Sequence, residues 1–419
     1  MKTQFCNIFC CLVILFSSYA QATRINDIYS ASIPVVNQLS EGRSSAFDQA
    51  LFTVAIKSSG QLDQLSDIAL LRTLLPAEPF VQSFSYRENP AYNLYLDEIQ
   101  AEKISKELSE MEGAQRVSSS DVDHSPTEIL AFEESLADKG VVKDSSVDAP
   151  LPFLLDVTFA PSLVEKKMKQ LNIPLWGAVR PSVLLWLVIE NEGDRSIVGT
   201  SDENPLISQF EHSSYVRGVP LFLPVADLED VNNINVDELW GLFPATTELS
   251  SKRYNADAIV IARMKEGVDA NWAGNWLVQL KGSQYYGSSK AESSAAVVTA
   301  LVSHVADTLS KKYAIGQRIG QASDLLDIEV NEINSFDDYV GIINYLQSLP
   351  PVSQVEMTKV NTNKLYFHVT LHENSQQFYE HIELGSFLEP LRADVGLLKT
   401  PDEQIETNSV ERFVWVSGK

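Results

Sequence analysis

Apolar positions recur along this chain with two periods, and the switches between them mark its elements. Asp27 to Val36 reads as a strand, and over Ser45 to Ser58 the residues Phe47, Ala50, Leu51 and Val54 fall at helical spacing until Gly60 stops the run. A strand is predicted over Phe80 to Tyr86 and another over Leu151 to Phe159. Ser162 and Glu165 stand at capping-box spacing, which predicts a helix from there to Leu171. The run Ser182 to Ile189 is too continuously apolar for a half-exposed strand and belongs in the middle of a sheet.

Two further blocks repeat this alternation of strands and helices. The first holds a strand at Pro220 to Val225, a short helix capped by Asn235, strands around Ala258 to Met264 and Trp276 to Lys281, and a closing helix. Asn235 with Glu238 has the spacing of a capping box, flanked by a staple of Ile234 and Leu239. In the closing helix Val298, Leu301, Val302, Val305 and Leu309 form one apolar stripe. The second block has a strand at Leu326 to Val330 and a helix whose Tyr339, Ile342, Ile343 and Leu346 share a face before Pro350-Pro351 ends it. Strands Val355 to Val360 and Lys364 to His372 then turn at Asn361-Thr362-Asn363, followed by a helix over Gln376 to Leu384 and an edge strand at Arg412 to Val416.

These patterns predict an α+β protein of two or three modules, each a mostly antiparallel sheet covered by helices on one face. The expected divisions are a leader over 1–22, a module over 23–200, a module over 201–320, a small ferredoxin-like module over 321–392 and a tail over 393–419. The first module carries an insertion over 90–149. Between Asp97 and Asp148 it has 14 acidic residues against 5 basic ones, too little apolar surface to offset ordering entropy, so mostly disorder is expected, with one helix around Glu98 to Met111.

The leader locates the protein. Lys2, an apolar run from Phe5 to Phe16 and the ending Ala20-Gln21-Ala22 read as a secretory signal peptide, with cleavage expected after Ala22. The apolar run is shorter than a membrane span, and no small-residue box precedes Cys10 or Cys11 for lipid attachment. Cys6, Cys10 and Cys11 all lie in this leader, so the mature chain is expected to carry no thiol, disulfide or cysteine-bound metal. A formal charge of −24 argues against nucleic acid and anionic lipid as partners.

Candidate chemistry is sparse, and no cofactor is implied. His368 and His372 have zinc-pair spacing, but their surroundings alternate as a strand, where positions four apart lie about 13 Å from each other. His304 flanks the apolar helix stripe as a half-buried packing residue. The oxygen-rich run from Asp227 to Glu238 fails as an EF-hand, since Ile234, Asn235 and Gly241 fall at the fifth, sixth and twelfth positions counted from Asp230; helix capping or a looser cation site are its remaining roles. Gly-x-Ser-x-Gly elbows and phosphate loops are missing. The better recognition candidates are Trp176 and Arg180 before the most apolar strand, Trp240, and Arg253, Tyr254 and Arg263 around a later strand.

Several of these motifs point to a family. Ser45 to Leu51 with Ser58-Ser59-Gly60, Leu175 to Pro181, Leu223-Pro224, Leu239-Trp240-Gly241, Arg253 to Asp257 and Trp272 to Trp276 resemble an uncharacterised exported family of Gram-negative bacteria, domain of unknown function 2066. The middle block resembles the N-terminal domain of the Tol system's propeller protein and of lipoproteins that activate wall synthases. The resemblance implies location and no reaction; the leader, the absent catalytic sets and the modular pattern together predict a periplasmic, non-enzymatic protein that binds an envelope protein through a sheet edge or an arginine and tryptophan surface. The alternatives are a small-ligand carrier or enzyme with a pocket between the first two modules, marked by Arg180, Arg253 or Arg263, and an outer-membrane assembly subunit.

Overall fold

The computed structural model describes residues 23–25, 27–40, 42–61, 73–96, 99, 100, 103, 149–200, 204–267, 269–316, 324–372, 374–385, 387–391 and 410–416. The leader, most of the acidic insertion and of its expected helix, and most of the tail lie outside the described residues. The fold is α+β, with two compact units. One comprises Ser30–Ala50 and Pro76–Phe159; the other comprises Met1–Tyr29, Leu51–Leu75 and Ala160–Lys419.

After the two-residue strand β1 (Thr23–Arg24), the smaller unit is built on a sheet of β2 (Ser30–Val35), β3 (Val81–Glu88) and β4 (Phe153–Phe159), in the antiparallel order β2-β4-β3. Helix α1 (Arg43–Ser59) follows β2 and contributes Ala46, Phe47 and Ala50 to the buried set of this unit. Phe47 meets Phe84 edge to face, with ring centroids 5.3 Å apart.

In the larger unit, α2 (Pro161–Gln170) starts one residue before the expected cap. Pro161 occupies the first helical position, where its missing N–H costs nothing, and no side chain caps the helix. Glu165 instead accepts a hydrogen bond of 2.6 Å from the Tyr29 hydroxyl. Strand β5 (Val179–Arg180) pairs with β1. Strands β6 (Val183–Asn191) and β7 (Asp194–Val198) form a hairpin whose Glu192 and Gly193 both have positive φ.

Then come α3 (Leu206–Arg217), β8 (Leu221–Phe222), α4 (Leu228–Asn233), α5 (Val236–Trp240) and α6 (Pro244–Ser251). The block closes with β9 (Ala258–Glu266), β10 (Trp272–Leu280), β11 (Ser283–Ala291) and α7 (Ser294–Tyr313). The central sheet has the order β11-β10-β9-β6-β7, with β8 beside β6. Strand β6 runs parallel to β9, so the sheet crosses the boundary expected at residue 200.

Both faces of β6 are buried, as its continuous apolar run requires. Val183, Leu185, Leu187 and Ile189 join the cluster that includes Val298, Leu301, Val305 and Leu309 of α7; Leu184, Trp186 and Val188 pack with Ile234 and Leu239 on the other face. Helices therefore cover this sheet on two faces, one more than the pattern predicts.

The last sheet contains β12 (Leu325–Asn331), β13 (Val352–Asn361), β14 (Lys364–Leu371), β15 (Leu388–Pro390) and β16 (Glu411–Trp415), with α8 (Phe336–Ser348) and α9 (Ser375–Gly385) between strands. Its order is β13-β14-β12-β16-β15. The strand expected at an edge near the C-terminus is thus interior: β16 runs parallel to β12 and buries Phe413 and Trp415.

Candidate interaction surface

The residues most conspicuous in the sequence lie in different environments. Trp176 and Arg180 are interior, 1% and 0% exposed. The Arg180 guanidinium stacks 4.0 Å from the Trp176 ring centre. Its Nε donates to the Gly177 carbonyl at 2.9 Å and its Nη1 to Gly218 at 2.5 Å; its Nη2 donates to Lys57 at 2.6 Å and Trp176 at 2.9 Å. Lys57 lies in the last turn of α1 and Gly218 is the left-handed C-cap of α3, so one cation satisfies carbonyls left over at two helix ends. Burial lowers the Arg180 pKa to about 9, against the pull of Tyr29 and Asp27. The same interior holds the Lys57 amine, 3.5 Å from the Tyr215 ring centre and 3.6 Å from the Asp27 carboxylate, with burial lowering its pKa to about 8.

Arg253 and Tyr254 are drawn into the acidic run. Arg253 grips Asp227 with two bonds of 2.9 and 2.8 Å and reaches Glu229 at 3.2 Å and Asp230 at 3.4 Å. The Tyr254 hydroxyl donates to the buried Asp230 at 2.5 Å and accepts from the Val225 amide at 2.9 Å. Asp227 also caps α4, accepting from the amides of Glu229 and Asp230. Its bonds to Arg253 and to these amides hold its pKa down at about 2. Asn235 caps α5 as its spacing predicts, while Glu238 accepts from Thr246 at 2.7 Å. The run is thereby engaged in capping and ion pairing.

Trp240 and Arg263 come together with a residue that the sequence did not single out. Arg195, on the β6–β7 hairpin, lies 4.4 Å from the Trp240 ring centre, and Arg263 lies 5.5 Å from it. Arg263 also donates to the Trp240 carbonyl at 2.7 Å, and Arg195 bonds Glu190 at 2.9 Å and Asp237 at 2.8 Å. This half-exposed stack is what the structure leaves of an arginine and tryptophan surface. Its cations already have partners.

Neither histidine site stands apart from the fold. The Trp276 indole donates to His304 Nδ1 at 2.7 Å, and burial lowers the His304 pKa. His368 projects from β14 to Asp327 across the strand pair, while His372 lies beyond the end of β14.

An element that the sequence pattern missed presents a long and regular unmatched backbone edge among the described residues. Strand β11 pairs with β10 over nine consecutive positions without a register shift, from Trp272 opposite Ala291 to Leu280 opposite Ser283. Among the described residues no strand pairs with its outer edge. The hairpin turns on Lys281 and Gly282, with φ of 46° and 80°. Trp276 fixes the strand from within: its indole occupies the space that a Cβ on Gly287 would need, so the ring and the backbone meet in close approach. On the opposite face Tyr286 is 66% exposed. Such an edge can donate to and accept from an added extended segment.

An α+β protein with an open, regular sheet edge is the class that this architecture defines. A family model described as a domain of unknown function (DUF8605) matches residues 22–116. This is a different family from the one that the motifs resemble, and most of those motifs, from Leu175 onward, lie outside the matched stretch. No curated protein matches the chain. A solved structure titled as that of an uncharacterized protein aligns at 9% identity and a TM-score of 0.12, covering 32% of this chain and 95% of that one.

Proposed function

We propose that this is an exported periplasmic protein without a catalytic step, which binds an extended segment of another envelope protein along the outer edge of β11. The observation that carries the reading is the nine-residue regular pairing of β11 on one side only, among the described residues. Main-chain groups on that edge supply affinity, and the exposed side chains of Gln284, Tyr286 and Ser288 supply selection. The leader and the acidic composition support the location. The arginines that would mark a ligand pocket have other partners: Arg180 bonds carbonyls, Arg253 bonds carboxylates and Arg263 bonds the Trp240 carbonyl. Among the described residues no helix is long and apolar enough to cross a membrane.

A photo-crosslinking amino acid placed at Tyr286 in intact cells tests this reading. A discrete protein adduct is expected there and not at Val360, on the edge strand β13. Equal adducts at both positions, or none at Tyr286, contradict it.

A further inference from the structure

We propose that the smaller unit holds a binding groove for an aliphatic carboxylate, a fatty-acid-like amphiphile. This inference is independent of the β11 edge. A cavity of about 510 Å³ lies between the end of β2 and the start of α1, within the size range of small-molecule sites. Ile33, Val36, Leu39 and Leu151 are among its apolar walls, and Arg43 and Tyr86 add its polar groups. Val36 and Leu39 are 64% and 62% exposed, so the unit leaves aliphatic surface in water at the groove.

Charge selects the head group. Arg43 is half-buried, with its guanidinium 5.1 Å from the Phe84 ring centre, and its side chain makes no hydrogen bond or ion pair among the described residues. Phe84 is itself held edge to face by Phe47 and Tyr86, so the stack fixes where the cation stands. The first turn of α1 carries no acidic side chain to neutralise it. A guanidinium fork matches the planar two-oxygen geometry of a carboxylate, and Tyr86, which also lines the groove, carries a hydroxyl able to donate. The walls then take the hydrocarbon chain. An added peptide strand fits less well, because Pro34 on the open edge of β2 removes a backbone donor that a ladder needs.

Calorimetric titration of the full chain with octanoate, decanoate and dodecanoate, each below its micelle concentration, tests the assignment. Saturable binding is expected, tightening roughly tenfold per added pair of methylenes until the groove is filled. Decan-1-ol should bind at least about tenfold more weakly than decanoate, since it lacks the charge-assisted bonds. Arg43→Gln should remove that preference, with residual saturable decanol binding showing that the groove is still folded, and Arg43→Lys should restore part of it. Val36→Glu should weaken every homologue. Absence of saturable binding up to millimolar concentration, equal affinity for alcohol and acid, or an unchanged acid preference in Arg43→Gln overturns the proposal.

Discussion

The surroundings of Arg180 and the outer edge of β11 treat the backbone in opposite ways. Around Arg180, carbonyls stranded at two helix ends and in the loop before β5 each receive a donor from one buried side chain. Along β11, nine residues are paired inward, and among the described residues no strand matches them outward. The residue type that looked like a recognition group is internal scaffolding, and a polar, unremarked strand holds the unused bonding capacity. Strand β13 stands between these extremes: it is also an edge, but two register shifts, at Val352/Gln354 and Met357/Lys359, interrupt its ladder. Irregularities of this kind discourage strand addition, and β11 has none.

The largest effect should come from the interior side of this contrast. Arg180→Ala leaves four carbonyls without their donor and is expected to cost about 3–5 kcal/mol in denaturant unfolding. A loss below about 1 kcal/mol would show that water replaces the guanidinium and that this region is no better satisfied than the edge. Lys57 gives a second, pH-dependent measure. Its folded pKa of about 8 lies below the ordinary value of 10.5, so between those pH values the unfolded chain keeps a proton that the folded chain has released. Stability should therefore rise as pH is raised through that window, and Lys57→Met should abolish the rise between about pH 8 and 9, below the folded pKa of Arg180. A flat profile in the parent protein contradicts the burial of that charge.

At the edge the expected stability effect is the smallest and the binding effect is separate from it. Tyr286→Lys combined with Ser288→Lys places two charges on the exposed face of β11 and should change unfolding stability by less than about 0.5 kcal/mol. Adduct formation at a probe on Gln284 should fall about tenfold in the same variant. The same pair of charges on β13, at Met357 and Thr358, should leave capture unchanged. Loss of capture from β13 instead would reverse the ranking of the two edges.

Much of the fold was legible because burial writes a strong period. The doubly buried β6, the stripe of α7 and the Asn235 cap stand where apolar spacing and capping chemistry place them. Strand β11 was missed because Ser-Gln-Tyr-Tyr-Gly-Ser-Ser-Lys has little apolar alternation: an edge strand whose outer face meets solvent needs none. The readable signal was Lys281-Gly282, a two-residue turn directly after a strong strand, and Glu192-Gly193 marks β7 in the same way. For Trp176 and Arg180 the sequence shows a cation beside a core strand but not its acceptors. Those are backbone carbonyls from residues distant along the chain, and no residue type announces them.

Backbone hydrogen exchange on the crosslink-identified complex tests the central claim most directly. If the partner adds a strand to β11, alternate amides between Ser283 and Ala291 should slow on binding, while those of β13 and of the hairpin carrying Arg195 keep their free rates. Protection confined to β13 or to the Trp240 stack, with β11 unchanged, would contradict it.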